Sequence, residues 1–187
     1  MKFQPLSMDG AFVIHLDPIS DSRGFFSRLF CREEMEEHGL DPHIEQVNTS
    51  LSRDKGTLRG MHYQLGAHAE TKLVRCVAGA VYDVILDLRP DSLTFGKWEG
   101  VELTEENRTM IYVPRGFGHG IQTLEPDSEL IYLVSARYAP QAERGVRWND
   151  PRFGIEWPLE PTVVSPKDAA HPDFDPAYHL ELENGSS

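Results

Sequence analysis

Short runs of alternating apolar and polar residues dominate the chain, and turn residues separate them. Such alternation predicts β-strands, because successive side chains of a strand point to opposite faces of a sheet. The 15 glycines and 13 prolines are spread along the 187 residues, as expected for many short strands joined by turns. Strands are predicted at 12–16, 57–64, twice within 73–90, and at 98–104, 110–114, 120–124 and 129–138. We therefore expect a sandwich or small barrel.

Two local patterns refine this expectation. Residues 31–40 are the clearest helix, with Gly39 as its C-terminal cap and Pro42 beyond it. The strand after Gly79 is expected to have one inward and one outward face. The inward face is predicted to comprise Tyr82, Val84, Leu86 and Leu88, and the opposite face Asp83, Asp87 and Arg89. The length favours a single domain over 1–180, with a disordered tail at 181–187.

The charge of the chain limits its partners. A formal net charge of -12 argues against nucleic acid or an anionic membrane, since both require a dominant cationic surface. A small anionic substrate fits only if a few arginines and lysines converge locally. Cys31 and Cys76 form no disulfide framework, and the polar N-terminus predicts no signal peptide. The expected location is the cytoplasm.

The stretch TLRGMHYQ (57–64) places a histidine inside a predicted strand. Strict alternation would point Arg59 and His62 to opposite faces. A bulge at Gly60 would bring both side chains to one face, because glycine accommodates the extra residue of a bulge. The alternative is a hydrogen-bonded core histidine beside a surface arginine.

A second histidine lies in PRGFGHG (114–120), which resembles the second motif of the cupin barrels. In that motif the histidine, here His119, points into the barrel mouth. Metal-binding cupins read His-x-His in their first motif, whereas this chain has Gln64 at the second position, and an amide is a poor ligand for a transition metal. His68 and Glu70 follow in a predicted loop. We therefore predict no bound metal.

A tyrosine on the strand 129–138 is the candidate proton donor. By parity, Tyr132 and Tyr138 share a mostly apolar face, so both could be core residues. Alternatively, Tyr132 presents its phenol to the cavity. Its reference pKa of about 10 keeps a tyrosine protonated, while neutral histidine, with a reference pKa of about 6.5, accepts a proton. An acid and a base across a cavity could invert a carbon centre.

Nearly the whole chain, to about residue 175, resembles the dTDP-4-dehydrorhamnose 3,5-epimerases. The resemblance is carried by an ordered set of motifs: RGFF, QVN, TLRGMHYQ, KLVRC, DVILDLR, FGKWEGVELT, VPRGFGHG, WND, GIEWP and SPKDA. It implies an all-β, cupin-type jelly-roll (double-stranded β-helix) barrel with one or a few short helices. It also implies a homodimer that needs no metal or cofactor. The implied substrate is a nucleotide-linked 4-keto-6-deoxyhexose.

The resemblance assigns roles to residues. His62 matches the base, Tyr132 the acid, and Asp168 the carboxylate that holds the histidine. Arg23 and Phe26 match residues that the partner subunit presents to the nucleotide. The other matched substrate contacts are Gln46, Asn48, Arg59, Lys72, His119, Tyr138, Glu143 and Lys167. A C4 ketone acidifies the hydrogens on C3 and C5, so the reaction needs no redox cofactor.

Three positions depart from the family pattern. Arg28 and Arg115 stand where glutamate is usual, and Leu133 replaces a lysine. Arg28 is a candidate nucleotide contact, because arginine offers donors to phosphate or base oxygens. The leading nucleotide is dTDP, with CDP, GDP and UDP as alternatives.

Other functions remain open at this stage. One is a metal-dependent cupin oxygenase or isomerase, and another is a non-catalytic protein that binds a sugar nucleotide. A third is a 3,4-ketoisomerase on the same barrel. The sequence also leaves open whether C3, C5 or both are inverted.

Overall fold

Fourteen short strands, three short α-helices and one 3-10 helix, Gly66–His68, form the regular structure of the described part of the chain, residues 1–180 of the computed structural model. The strands are β1 Lys2–Pro5, β2 Phe12–His15, β3 Ile19–Asp21, β4 Gly24–Phe26, β5 Gln46–Ser52, β6 Thr57–Gln64, β7 Lys72–Ala78, β8 Ala80–Asp87, β9 Trp98–Thr104, β10 Met110–Val113, β11 Phe117–Thr123, β12 Ser128–Val134, β13 Glu143–Gly145 and β14 Val163–Val164. The α-helices are α1 Arg32–Glu37, α2 Pro166–Ala169 and α3 Pro176–His179. The predicted disordered tail, 181–187, lies outside the described residues.

Two sheets form the body of the molecule. The first has the strand order β1-β2-β10-β7-β12-β5, and the second has the order β13-β6-β11-β8-β9. Neighbouring strands in these two series are antiparallel, and β14 adds a parallel pairing to β6. This arrangement confirms the predicted all-β jelly-roll architecture with a few short helices. No helix among residues 1–180 is long and apolar enough to cross a membrane.

The main core lies between the two sheets. The first sheet contributes apolar side chains such as Val74, Ile111 and Leu130, and the second contributes Ile85 and others from β8, β9 and β11. All four named side chains are at most 4% exposed. Within β7 to β12 the residues that face this core are an even number of positions apart, as Ile111 and Val113 are, which is the period that the sequence pattern predicts.

The outer faces of both sheets are also covered. Met35 of α1 packs on the first sheet, and the segment after β13 packs on the second, for instance through Phe153. The predicted division of β8 into an inward and an outward face is therefore wrong. Val84 is buried under the C-terminal segment, while Asp83 and Asp87, expected on an outward face, are completely buried.

Two predicted strand boundaries also differ. β11 begins at Phe117 rather than at residue 120, so His119 lies within the strand and not in the preceding turn. β12 ends at Val134, so Tyr138 no longer follows the parity of that strand and is 58% exposed. The predicted helix is confirmed as α1, and Gly39 follows its C-cap with φ +71°.

Candidate active site

A bulge in β6 brings Arg59 and His62 to the same cavity. His62 pairs with His119 of β11, whereas Arg59 pairs with Ile121, so β6 carries one residue more than β11 over this stretch. Gly60 has φ +117°, and a Cβ atom there would lie 2.6 Å from Cα of Gly120. The bulge predicted from the sequence is confirmed, and it depends on glycine. Both side chains line a cavity of about 430 Å³.

His62 and Asp168 form a close pair in this cavity. Nε2 of His62 lies 2.7 Å from Oδ1 of Asp168, and the Gly60 amide donates to Oδ2 at 3.2 Å. The carboxylate side chain is only 5% exposed, and the imidazole is 34% exposed. An ionised carboxylate only accepts hydrogen bonds, so it selects the tautomer with a proton on Nε2. This leaves Nδ1 of His62 as the proton acceptor of the ring.

The electrostatics of the pair keep Asp168 ionised. Burial by itself raises the pKa of the Asp168 carboxyl, but favourable interactions with His171 and His62 and the hydrogen bond from Gly60 outweigh it. The pKa of this carboxyl is therefore held well below its usual range. A permanently charged carboxylate stabilises the imidazolium that forms when the histidine takes a proton.

Local sequence explains the position of Asp168. β14 pairs with the beginning of β6 and so carries the following residues to the cavity. The side chain of Ser165 caps α2 by accepting a hydrogen bond from the Asp168 amide at 3.0 Å, and Pro166 occupies the first helical position. Serine and proline at these positions are strong helix-start signals.

Tyr132 lines the cavity from the opposite sheet. It lies on β12, where its register partners are Asn48 of β5 and Val74 of β7. The ring is partly buried against the main core, and its hydroxyl makes no hydrogen bond to residues 1–180. The phenol is therefore available to a molecule in the cavity.

Cationic side chains converge on the cavity despite the net charge of -12. Arg59 is oriented by Ser52, whose Oγ accepts from Nε at 2.9 Å. Lys72 is 12% exposed and lies 3.3 Å from Glu70. Lys167, next to Asp168 in α2, also lines the cavity. This local convergence is what an anionic substrate requires of an acidic protein.

His119 forms a second histidine–aspartate pair. Its Nε2 lies 2.9 and 3.0 Å from the two carboxylate oxygens of Asp83. Asp83 is completely buried, and the His119 side chain is 13% exposed. The buried carboxylate, which the sequence pattern misassigned to an outward face, thus fixes the orientation of a cavity-lining histidine.

Four predicted contacts form a hydrogen-bonded chain beside the cavity. Glu143 accepts from Lys167 at 2.7 Å and from the Tyr138 hydroxyl at 2.8 Å. The backbone amide of Tyr138 donates to Gln46 at 3.2 Å. Burial raises the pKa of the Glu143 carboxyl, but the hydrogen bonds from Lys167 and Tyr138 outweigh burial. The pKa is therefore below its usual value, and the group stays ionised. This series of hydrogen bonds links Gln46, the first residue of β5, to α2, the helix that carries Asp168.

Three other predicted residues lie away from this cavity in the described part of the chain. Arg23 and Phe26 line a separate shallow depression on the β3–β4 hairpin. The Phe26 residue is 74% exposed, and Arg23 pairs with Asp21. Arg28 pairs with Glu34 at 2.7 Å, and Glu34 also binds the N-terminal ammonium at 2.8 Å.

Sequence reasoning missed one largely buried histidine near the pair. His171 lies 3.7 Å from Oδ1 of Asp168, three residues further along the chain. The only signal was a histidine following SPKDA at that spacing. Gln64, considered above as a metal-ligand position, instead donates to the His68 carbonyl and to Glu70, both at 3.1 Å.

Comparisons with known proteins give one consistent result. A family model described as dTDP-4-dehydrorhamnose 3,5-epimerase matches residues 5–176. A protein of that name from Sinorhizobium fredii is 43% identical over 175 residues, which cover 93% of this chain and 90% of the relative. The crystal structure of another, from Elizabethkingia anophelis, superposes with a TM-score of 0.90 at 39% identity, covering 93% of this chain and 96% of that one. ChmJ, a 3'-monoepimerase from Streptomyces bikiniensis solved in complex with dTDP-quinovose, gives a TM-score of 0.83 at 38% identity, with 90% and 86% covered.

Proposed function

Because the chain belongs to the dTDP-4-dehydrorhamnose 3,5-epimerase family, we propose that it inverts C3, C5 or both of a dTDP-linked 4-keto-6-deoxyhexose. One observation carries the proposal: a histidine held by a buried, ionised aspartate lines the same cavity as a tyrosine from the opposite sheet. A base and an acid on two sides of a substrate are what epimerisation requires.

His62 removes the proton. Its Nδ1 is the free acceptor, because Nε2 donates to Asp168. The C4 ketone of the substrate makes the neighbouring C–H bonds acidic, since the electron pair left on C3 or C5 delocalises onto the ketone oxygen as an enolate. Asp168 stabilises the resulting imidazolium and fixes its orientation.

Tyr132 returns a proton to the opposite face. The phenol O–H bond breaks, a C–H bond forms at the same carbon, and the enolate collapses to the ketone with inverted configuration. Lys72 and His119 line the cavity between the two sheets. Lys72 is the candidate donor to the enolate oxygen, and His119, whose Nε2 faces Asp83, is a further candidate contact to the substrate. Arg59 and Lys167 supply positive charge for the diphosphate.

The nucleotide part of the site extends to a second protomer. We propose a homodimer in which Arg23 and Phe26 of the exposed β3–β4 hairpin reach the neighbouring cavity. The high exposure of Phe26 and the apolar residues around it on the hairpin support an interface there. Arg28 remains a predicted nucleotide contact, and that role would require it to exchange its partner Glu34 for the ligand. The single domain over 1–180 and the cytoplasmic location stay predictions.

Deuterium exchange tests the reaction. The wild-type protein is incubated in D2O with dTDP-, UDP-, GDP- and CDP-linked 4-keto-6-deoxyhexoses, and C3 and C5 are followed by NMR. We expect deuterium and inverted configuration at one or both carbons, with the dTDP sugar the best substrate. Binding without exchange would instead indicate a non-catalytic protein, and a ketone moved to C3 would indicate a ketoisomerase.

A further inference from the structure

A largely buried histidine that the proposed reaction does not use lies beside the base. The side chain of His171 is 10% exposed, and its Nε2 is buried with no hydrogen-bond partner among residues 1–180. The distance of 3.7 Å to Oδ1 of Asp168 is too long for a hydrogen bond. An unpaired buried polar atom is uncommon and costs free energy, so it indicates a partner that the protein chain itself does not supply.

The ring of His171 is held in place by its surroundings. It packs edge-on against His62, with ring centroids 5.9 Å apart and an interplanar angle of 76°. Gly145 of β13 leaves room for it, because a Cβ atom at that position would overlap the imidazole. His171 is the first residue after Ala170, the C-cap of α2, so the helix fixes the position of its backbone. The nitrogen is therefore presented from a fixed position.

We propose that His62, Asp168 and His171 bind one divalent transition-metal ion, for which Zn²⁺ is the best match. Their ligand atoms, two imidazole nitrogens and one carboxylate oxygen, all lie within 4.8 Å of one another. Two histidines and a carboxylate form an open zinc site whose fourth position holds water. Mg²⁺ and Ca²⁺ prefer oxygen ligands and are poor matches.

Two of the three ligand separations lie close to those of a zinc site. Zinc bonds of about 2.0–2.1 Å in a tetrahedron separate the ligand atoms by about 3.3 Å. The Asp168–His171 distance of 3.7 Å is already close to this value, and the His62–Asp168 distance of 2.7 Å would widen by about 0.6 Å. Oδ2 of Asp168 keeps its hydrogen bond from the Gly60 amide, which orients the carboxylate as an outer-shell partner does in metal sites.

Metal binding would switch off the base. The ion takes the place of the proton on Nε2 of His62, and the ring stays neutral because its one proton is transferred, through solvent, from Nε2 to Nδ1. A neutral imidazole that binds a metal through Nε2 carries its remaining proton on Nδ1, so it cannot accept another there. Zinc is thus a reversible inhibitor of the epimerisation. This consequence rests on the proposed function, whereas metal binding itself does not.

Calorimetric titration of chelator-treated protein with ZnCl₂ tests the binding. Wild type should bind one ion per chain at this site. His171→Gln should bind it at least about 10-fold more weakly, since the loss of a direct ligand costs no less than the loss of an outer-shell partner. His43→Gln is the matched control, because His43 also faces a carboxylate, Glu45, at 3.4 Å but is 57% exposed. Absence of zinc binding by wild type, or equal affinity in His171→Gln, would overturn the proposal.

A measurement on the wild-type protein covers the case in which His171→Gln fails to fold. Crystals grown with ZnCl₂ should give an anomalous peak at the zinc edge about 2.0–2.2 Å from the three ligand atoms. Peaks only elsewhere would refute the site. Zinc should also stop deuterium exchange, and EDTA should restore it. A peak at the site with undiminished exchange would confirm the metal site and contradict the role of His62.

Discussion

At the scale of single residues, His62 is the group on which the proposed reaction depends. We expect His62→Ala to fold normally and to lose about 10²–10⁴-fold in kcat, which is the usual contribution of a general base. Steady-state kinetics with thermal unfolding as the folding check measure this. His15→Ala is the control, because His15 lies on β2 away from the cavity and its ring is hydrogen-bonded to Gln4 and Thr109. Near-normal turnover in His62→Ala would assign the base to another residue.

A second residue, Asp87, gives a prediction about pH and stability. Burial raises the pKa of its carboxyl, but hydrogen bonds from Arg89, Ser92 and Thr94 outweigh it and lower the pKa to about 2 from 3.8. At pH values between about 2 and 3.8, this carboxyl therefore binds more protons in the unfolded chain than in the native state. The stability that this carboxylate contributes is present above about pH 4 and is lost as the pH falls toward 2.

The corresponding variant is Asp87→Asn. At pH 7 we expect it to lower the free energy of unfolding by about 1.5–3 kcal/mol, the usual value for hydrogen bonds to a charged group. The deficit should shrink as the pH is lowered toward 2, in urea titrations at each pH. Asp91→Asn, at an exposed position of the loop that follows Asp87, should have little effect at any pH. A deficit that stays constant with pH would show that ionisation of Asp87 is not what stabilises the loop.

At the scale of elements, the bulge in β6 sets the direction of both cavity residues. Gly60→Ala would add a Cβ 2.7 Å from the His119 carbonyl oxygen, at a φ of +117° that alanine rarely adopts. We expect a loss of about 1–3 kcal/mol of stability from the backbone strain alone, and lower kcat because Arg59 and His62 no longer share the cavity. Gly24→Ala has a similar φ of +133° but open space around it, so it measures the strain without the clash. Equal effects of the two substitutions on stability would contradict the packing argument.

Local sequence allowed prediction of most elements, and the exceptions have physical causes. A strand that buries one face in the main core, such as β9 with Val101 and Leu103 inside and Glu102 exposed, carries the alternating pattern. The β3–β4 hairpin is exposed on every residue, so no alternation marks it. β8 was misjudged because both of its faces are buried, which a two-residue period cannot reveal.

The features of the site likewise divide into those that local sequence predicts and those that depend on the tertiary structure. The bulge could be predicted because Gly60 interrupts a strand between two polar residues. The pairing of His62 with Asp168 joins residues 106 positions apart, so the sequence suggested it only through the family resemblance. His171 carried no recognisable motif, and its buried nitrogen becomes visible only in three dimensions.

At the scale of the whole molecule, the exposed hairpin predicts a dimer. Phe26→Ala should reduce kcat/KM by about 10-fold, because one buried aromatic contact to the nucleotide is worth about 1.4 kcal/mol or more. Leu93→Ala is the control, since Leu93 is fully exposed in the loop between β8 and β9. Light scattering should report two chains for the wild type. A monomer with full activity would contradict the shared site.

The most direct test of the two-sided acid–base reaction is deuterium exchange by Tyr132→Phe in D2O. Phenylalanine keeps the ring and its packing but removes the phenolic proton, while His62 and Asp168 remain. We expect NMR to show deuterium entering at C3 or C5 of the dTDP-linked 4-keto sugar with configuration retained and little inverted product. Normal inversion by Tyr132→Phe would contradict the account, because the proton on the second face would then come from a different group.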